Sequence, residues 1–88
     1  MHAVVVRVTV HDFEAGLANL RSEVVPRVSQ APGFVAGYWL RPVDEQGLGV
    51  IVFESEEAAR NVAEQVQASP DDAVTFESVE VREVVAHA

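Results

Sequence analysis

Val50-Ile51-Val52-Phe53 is apolar at four consecutive positions, and Val4-Val5-Val6 is apolar at three. A short β-strand without in/out alternation is buried on both faces. Elsewhere the chain offers only two helical stretches, enough to cover one face of a small sheet. The other face needs its own cover, and a second copy of the same chain is the simplest one.

The 88 residues make one domain, residues 1–88. A domain of this size buries only about 60–65% of its unfolded surface, so a lone copy is marginal. With no cysteine, neither disulfides nor thiolate metal sites can stabilise it, which again points to a homodimer. A net charge of −8 argues against nucleic acid and anionic membrane surfaces as partners, since both require a basic patch. All six basic side chains are arginine. No stretch approaches the roughly 20 apolar residues of a membrane helix. Met1-His2-Ala3-Val4 runs into strand pattern without the basic and small-residue signals of a secretory leader, so the expected location is cytoplasmic.

The β-branched run from Val4 to Val10 predicts a first strand. Asp12 is a candidate N-cap, and Phe13, Leu17, Leu20, Val24 and Val28 form one apolar stripe on a helix over residues 13–29. Pro26 should kink or restart that helix. Ala31-Pro32-Gly33 signals a turn, residues 34–42 a second strand, and Asp44-Glu45-Gln46-Gly47 a hairpin into a third strand from Gly49 to Phe53. Ser55 is a candidate cap for a second helix with Ala58, Ala59, Val62, Ala63 and Val66 on its buried face. Ser69-Pro70-Asp71-Asp72 reads as a loop and residues 74–85 as a fourth strand.

The order β-α-β-β-α-β predicts an α+β, ferredoxin-like plait, a four-stranded antiparallel sheet with both helices on one face. Strands one and three are central in that plait, and they are the apolar ones here. The strands carrying Arg41, or Glu77, Glu80, Arg82 and Glu83, fall at the edges.

On strand one, Val4, Val6, Val8 and Val10 share a side and belong beneath the helices, which sends Arg7 to the open face. Val79 and Val81 likewise face the helices, leaving Phe76, Ser78, Glu80 and Arg82 on the open side. Arg7 and Glu80 are then candidates for a cross-strand pair. Because an arginine does not sit unpaired in a dry core, Arg41, and with it Trp39, is expected on the open face. Strand three is apolar on both sides and has no readable orientation.

These assignments nominate Arg7, Trp39, Arg41, Glu80 and Tyr38 as lining a cavity. Tyr38-Trp39 suits a wall for a planar ligand, and suits barrel or interface packing better. Arg7, Arg41 and Glu80 suit orientation of a carboxylate or phenolate, and suit an ion pair or intersubunit salt bridge better. His2, His11 and His87 match no metal-ligand spacing and read as solvated. Glu77 and Glu80 point to opposite faces of the fourth strand, so they make no dyad. Gly47-x-Gly49 follows a hairpin and is no phosphate loop, and no Gly-x-Ser-x-Gly or Cys/His arrangement supports nucleophilic catalysis. Catalytic residues are not assignable, and no metal or cofactor is implied by these residues.

Leu17-x-x-Leu20…Val24-Val25-Pro26, then Ala31-Pro32-Gly33-Phe34, and Val50-Ile51-Val52-Phe53-Glu54-Ser55-Glu56-Glu57-Ala58-Ala59 resemble the dimeric α+β barrel superfamily, close to its antibiotic-biosynthesis-monooxygenase-like group. The resemblance covers nearly the whole chain. It implies two plaits meeting sheet to sheet as a barrel. The superfamily includes cofactor-independent oxygenases of aromatic polyketides, haem-degrading enzymes and stress-induced small proteins. Their catalytic asparagine, tryptophan, tyrosine or histidine residues line the barrel, whereas here Asn19 and Asn61 fall on helices and Trp39 on a strand.

Three functions follow as expectations. The first is a homodimer that binds a small, largely apolar or aromatic molecule between its two sheets. The second is a cofactor-independent monooxygenase, and the third a stress-associated structural dimer without ligand.

Overall fold

The computed structural model describes residues 1–68 and 72–88. Valine-rich sequence sets β1 (His2–Val10). The Asp12 carboxylate then accepts the Ala15 N–H at 3.1 Å and caps α1 (Phe13–Asn19). The helical path widens into one π turn at Leu20–Val24 and resumes as α2 (Val25–Ser29), with Pro26 in its first turn. Proline lacks an N–H and its ring crowds the carbonyl one turn back. A π turn is a common way for a helix to absorb such a break. The expected interruption at Pro26 therefore takes the form of a wider turn ahead of it, not a stop.

Gly33 adopts φ 82°, and its carbonyl accepts the Glu54 N–H at 2.8 Å, tying the entry of β2 (Phe34–Val43) to the exit of β3 (Gln46–Phe53). The hairpin between them turns on Asp44 and Glu45, at φ 51° and 68°, the two positive angles that a tight two-residue hairpin demands. The strand thus starts earlier than the expected Gly49. Ser55 Oγ accepts the Ala58 N–H at 3.1 Å and caps α3 (Glu56–Ala68), which is followed by β4 (Val74–Glu83). Of the expected loop, Ser69, Pro70 and Asp71 lie outside the described residues.

The sheet runs β2-β3-β1-β4, with every pairing antiparallel, the ferredoxin-like plait with its helices on one face. Val4, Val6, Ile51 and Phe53 from the central strands meet Val28 of α2 and Ala59, Val62 and Ala63 of α3 in one core. Burial of a side chain the size of Phe53 or Ile51 contributes about 1.5–3 kcal/mol. The valine side of β1 faces the helices as expected, and Arg7 is exposed on the other side. On β3, Gly47, Gly49, Ile51 and Phe53 are the buried set, so Leu48, Val50 and Val52 point to the open face.

Two bulges overturn part of the expected facing. In β2 the register moves from Phe34↔Phe53 to Ala36↔Val52, and the extra residue, Val35, reverses the alternation. Phe34 packs edge-on against Phe53, with ring centroids 6.1 Å apart. Beyond the bulge Trp39 pairs with Gly49 and packs against the core. Trp39 therefore faces the helices, while Tyr38 (64% exposed) and Leu40 (54%) face outward. A further register shift follows between Leu40 and Val43, where Arg41 lies over the Phe13 ring on the helix side. In β4 the register shifts between Arg7↔Ser78 and Val8↔Phe76. Phe76 accordingly packs against the core and not on the open side. Glu77 reaches Thr9 at 2.8 Å, on the Arg7 face, so it does not oppose Glu80.

Among the described residues no helix is long and apolar enough to cross a membrane.

Candidate ligand-binding site

Between the sheet and the first helical run lies a cavity of about 530 Å³, within the range of about 300–1,000 Å³ usual for ligand pockets. Its floor comes from Val6 and Val8 of β1, Trp39 of β2, Gly49 and Ile51 of β3 and Phe76 of β4. Its roof is the apolar stripe Phe13, Leu17, Leu20, Val24 and Val28, closed at the back by Val62 and Val66 of α3. The stripe that drives the helix onto the sheet thus also roofs the cavity, because the π turn carries Leu20 and Val24.

The indole of Trp39 lies flat on this floor because its neighbours have no side chains. A Cβ added to Gly37 would come within 2.9 Å of the ring, and one on Gly49 within 3.0 Å. Both glycines face the helices, so the β2–β3 ribbon makes a shallow bed for one large ring.

Charged groups stand at the rim. Arg41 holds its guanidinium carbon 4.9 Å from the centroid of the Phe13 ring, a cation–π contact. Arg27 and Glu23 pair across one helical turn at 3.9 Å. Asn19 and Gln65 add amide groups to the lining. Among the described residues, histidine, cysteine, serine and lysine do not line it, so none of them brings a nucleophile or imidazole base to the cavity. The arrangement is suited to binding an apolar body and orienting it by its polar end.

The five residues nominated from sequence divide between the two faces of the sheet. Trp39 and Arg41 line the cavity. Arg7, Tyr38 and Glu80 lie on the open face, on three different strands. Arg7 and Glu80 share that face, but among the described residues they form no ion pair within 4 Å. Of the three histidines, His11 and His87 are exposed as expected, and His2 is not. The His2 side chain is 22% exposed, 3.7 Å from Glu56, with its Nδ1 buried and unpartnered among the described residues. His11 bonds Thr75 at 2.6 Å. The floor of the cavity was not recognised from sequence. Its signal was the coincidence of Gly37, Gly49 and Trp39 on facing strands.

No family profile matches the sequence, and no curated protein sequence matches it. Solved structures do. A crystal structure of an MhuD mutant with two manganese protoporphyrin IX molecules bound per active site aligns at TM-score 0.73 and 26% identity, over 100% of this chain and 98% of that one. The haem degrader MhuD from Mycobacterium tuberculosis, with two haems bound in its active site, aligns at TM-score 0.67 and 25% identity, over 100% and 99%. A haem-free form of the haem-degrading protein from Mycobacterium tuberculosis aligns at TM-score 0.57 and 30% identity, over 100% and 99%.

The chain belongs to the dimeric α+β barrel superfamily, in its antibiotic-biosynthesis-monooxygenase-like group.

Membership raises haem as a ligand for this superfamily member, and the donor set tests it. Haem iron is held by histidine, cysteine, methionine or tyrosine. Met1, His2, His11, Tyr38 and His87 are the only such residues in the chain, and none lines the cavity. The residues present fit a planar apolar body but not an axially ligated iron.

Proposed function

We propose that this protein binds a small, largely apolar planar molecule in the cavity beneath its helices, and that it works as a homodimer whose open sheet faces meet. The observation that carries the first part is the 530 Å³ space floored by the flat Trp39 indole. The solved MhuD structures, which hold two haems or two manganese protoporphyrins per active site, support a planar occupant for this architecture. The second part rests on the uncovered face, where Leu48, Val50 and Val52 adjoin the exposed Tyr38 and Leu40. An apolar sheet surface of this kind marks an association site.

Equilibrium dialysis of naphthalene-class aromatics against the wild type and Leu20→Trp tests the binding site. The added indole fills the cavity from its roof. Uptake by the wild type that is lost in Leu20→Trp is expected. Equal uptake by both would place binding elsewhere.

A further inference from the structure

The proposed binding site carries more information than its shape. Its floor offers one aromatic face, the Trp39 indole bedded on Gly37 and Gly49. At its rim Arg41 is held over Phe13, and among the described residues no carboxylate lies within 4 Å of its guanidinium. The other rim arginine, Arg27, already faces Glu23. In a chain of net charge −8, Arg41 is thus a cation without an acid, beside a stacking surface. Guanidinium groups recognise carboxylates through paired N–H donors. Every side chain able to ligate haem iron lies elsewhere: Met1 at the exposed N-terminal end, His2 beside Glu56, His11 on Thr75, Tyr38 on the opposite sheet face and His87 in the exposed tail. Ser69, Pro70 and Asp71 add none of those residue types.

We infer that the cavity takes a planar aromatic carboxylate whose ring lies on Trp39 and whose acid group meets Arg41, and that it gives no recognition to iron. This rests on the reading of the cavity as the binding site. It sets the chain apart from its haem-degrading structural relatives on chemistry, since ring and acid would be recognised and a central metal would be ignored.

Trp39 is the single tryptophan, so its emission reports the site directly. Wild-type protein would be titrated with metal-free protoporphyrin IX, with haem, and with the dimethyl ester of protoporphyrin IX. The acid and haem should quench Trp39 with dissociation constants within about threefold of each other. The Soret band of added haem should match that of haem without an axial protein ligand. The ester should bind at least tenfold more weakly. Arg41→Gln should weaken the acid tenfold and leave the ester unchanged, with Arg41→Lys restoring part of the loss. Haem binding tenfold tighter than the metal-free acid, with a ligated Soret band, would overturn the inference while leaving the cavity as the site. Acid and ester binding alike would overturn it through the carboxylate. Absence of quenching by all three would overturn the binding site itself.

Discussion

The indole of Trp39 lies across the backbone of Gly49, its register partner on β3, so closely that a Cβ there would stand 3.0 Å from Cδ1. That contact sets the depth of the cavity floor. Gly49→Ala therefore pushes the ring up into the cavity. Overpacking of this kind costs about 1–3 kcal/mol. Urea unfolding followed by tryptophan emission should show the loss, together with a shifted native emission maximum. An unchanged midpoint and spectrum would mean the ring does not rest there.

Glu45 occupies the left-handed region at φ 68° in the β2–β3 turn. That conformation costs a non-glycine residue about 1–2 kcal/mol. Its carbonyl accepts the Val10 N–H at 2.7 Å, a backbone bond that substitution leaves intact. Glu45→Gly should raise the thermal midpoint, the relief of strain exceeding the added freedom of the unfolded chain. A lowered midpoint would contradict the assigned turn.

Val5 sits on the open face between Val50 and Glu80. If a second copy covers that face, Val5→Asp buries an unpaired charge at the interface, which is strongly unfavourable. Sedimentation should show monomers, or the protein should become insoluble. Dimers of ordinary stability would contradict the interface.

Glu56 begins α3, and its carboxyl titrates below the usual range, chiefly through the hydrogen bond and charge of Arg60, which approaches to 2.6 Å, with a smaller contribution from His2. A carboxyl lowered in the folded state contributes stability that is present above its unfolded pKa and lost as pH falls through the folded value. In Arg60→Gln the Glu56 carboxyl should titrate at higher pH by carbon NMR, and the acid-side loss of stability should shrink. An unmoved Glu56 titration would contradict the pairing.

The plait was legible because each element carries its own local signal. Asp12 and Ser55 cap where expected, Val4, Val6 and Val8 of β1 turn inward, and the two doubly apolar strands lie at the centre of the sheet. The facing of β2 was not legible, because a period-two reading breaks at a bulge and nothing in Phe34-Val35-Ala36 announces one. Arg41 misled for a related reason. The space under the helices is not dry throughout, and at its rim the guanidinium rests on Phe13 while remaining exposed. Glu77 escaped in the same way, through the second bulge.

Ligand is proposed to enter beneath the helices and not between two sheets. Methyl NMR of valine- and leucine-labelled protein, with metal-free protoporphyrin IX added stepwise, tests it most directly. Leu17, Leu20 and Val24 line the cavity, whereas Val50 and Val52 face the opposite way. Large shifts are expected for the first three methyl sets and almost none for the last two. The reverse pattern would contradict it.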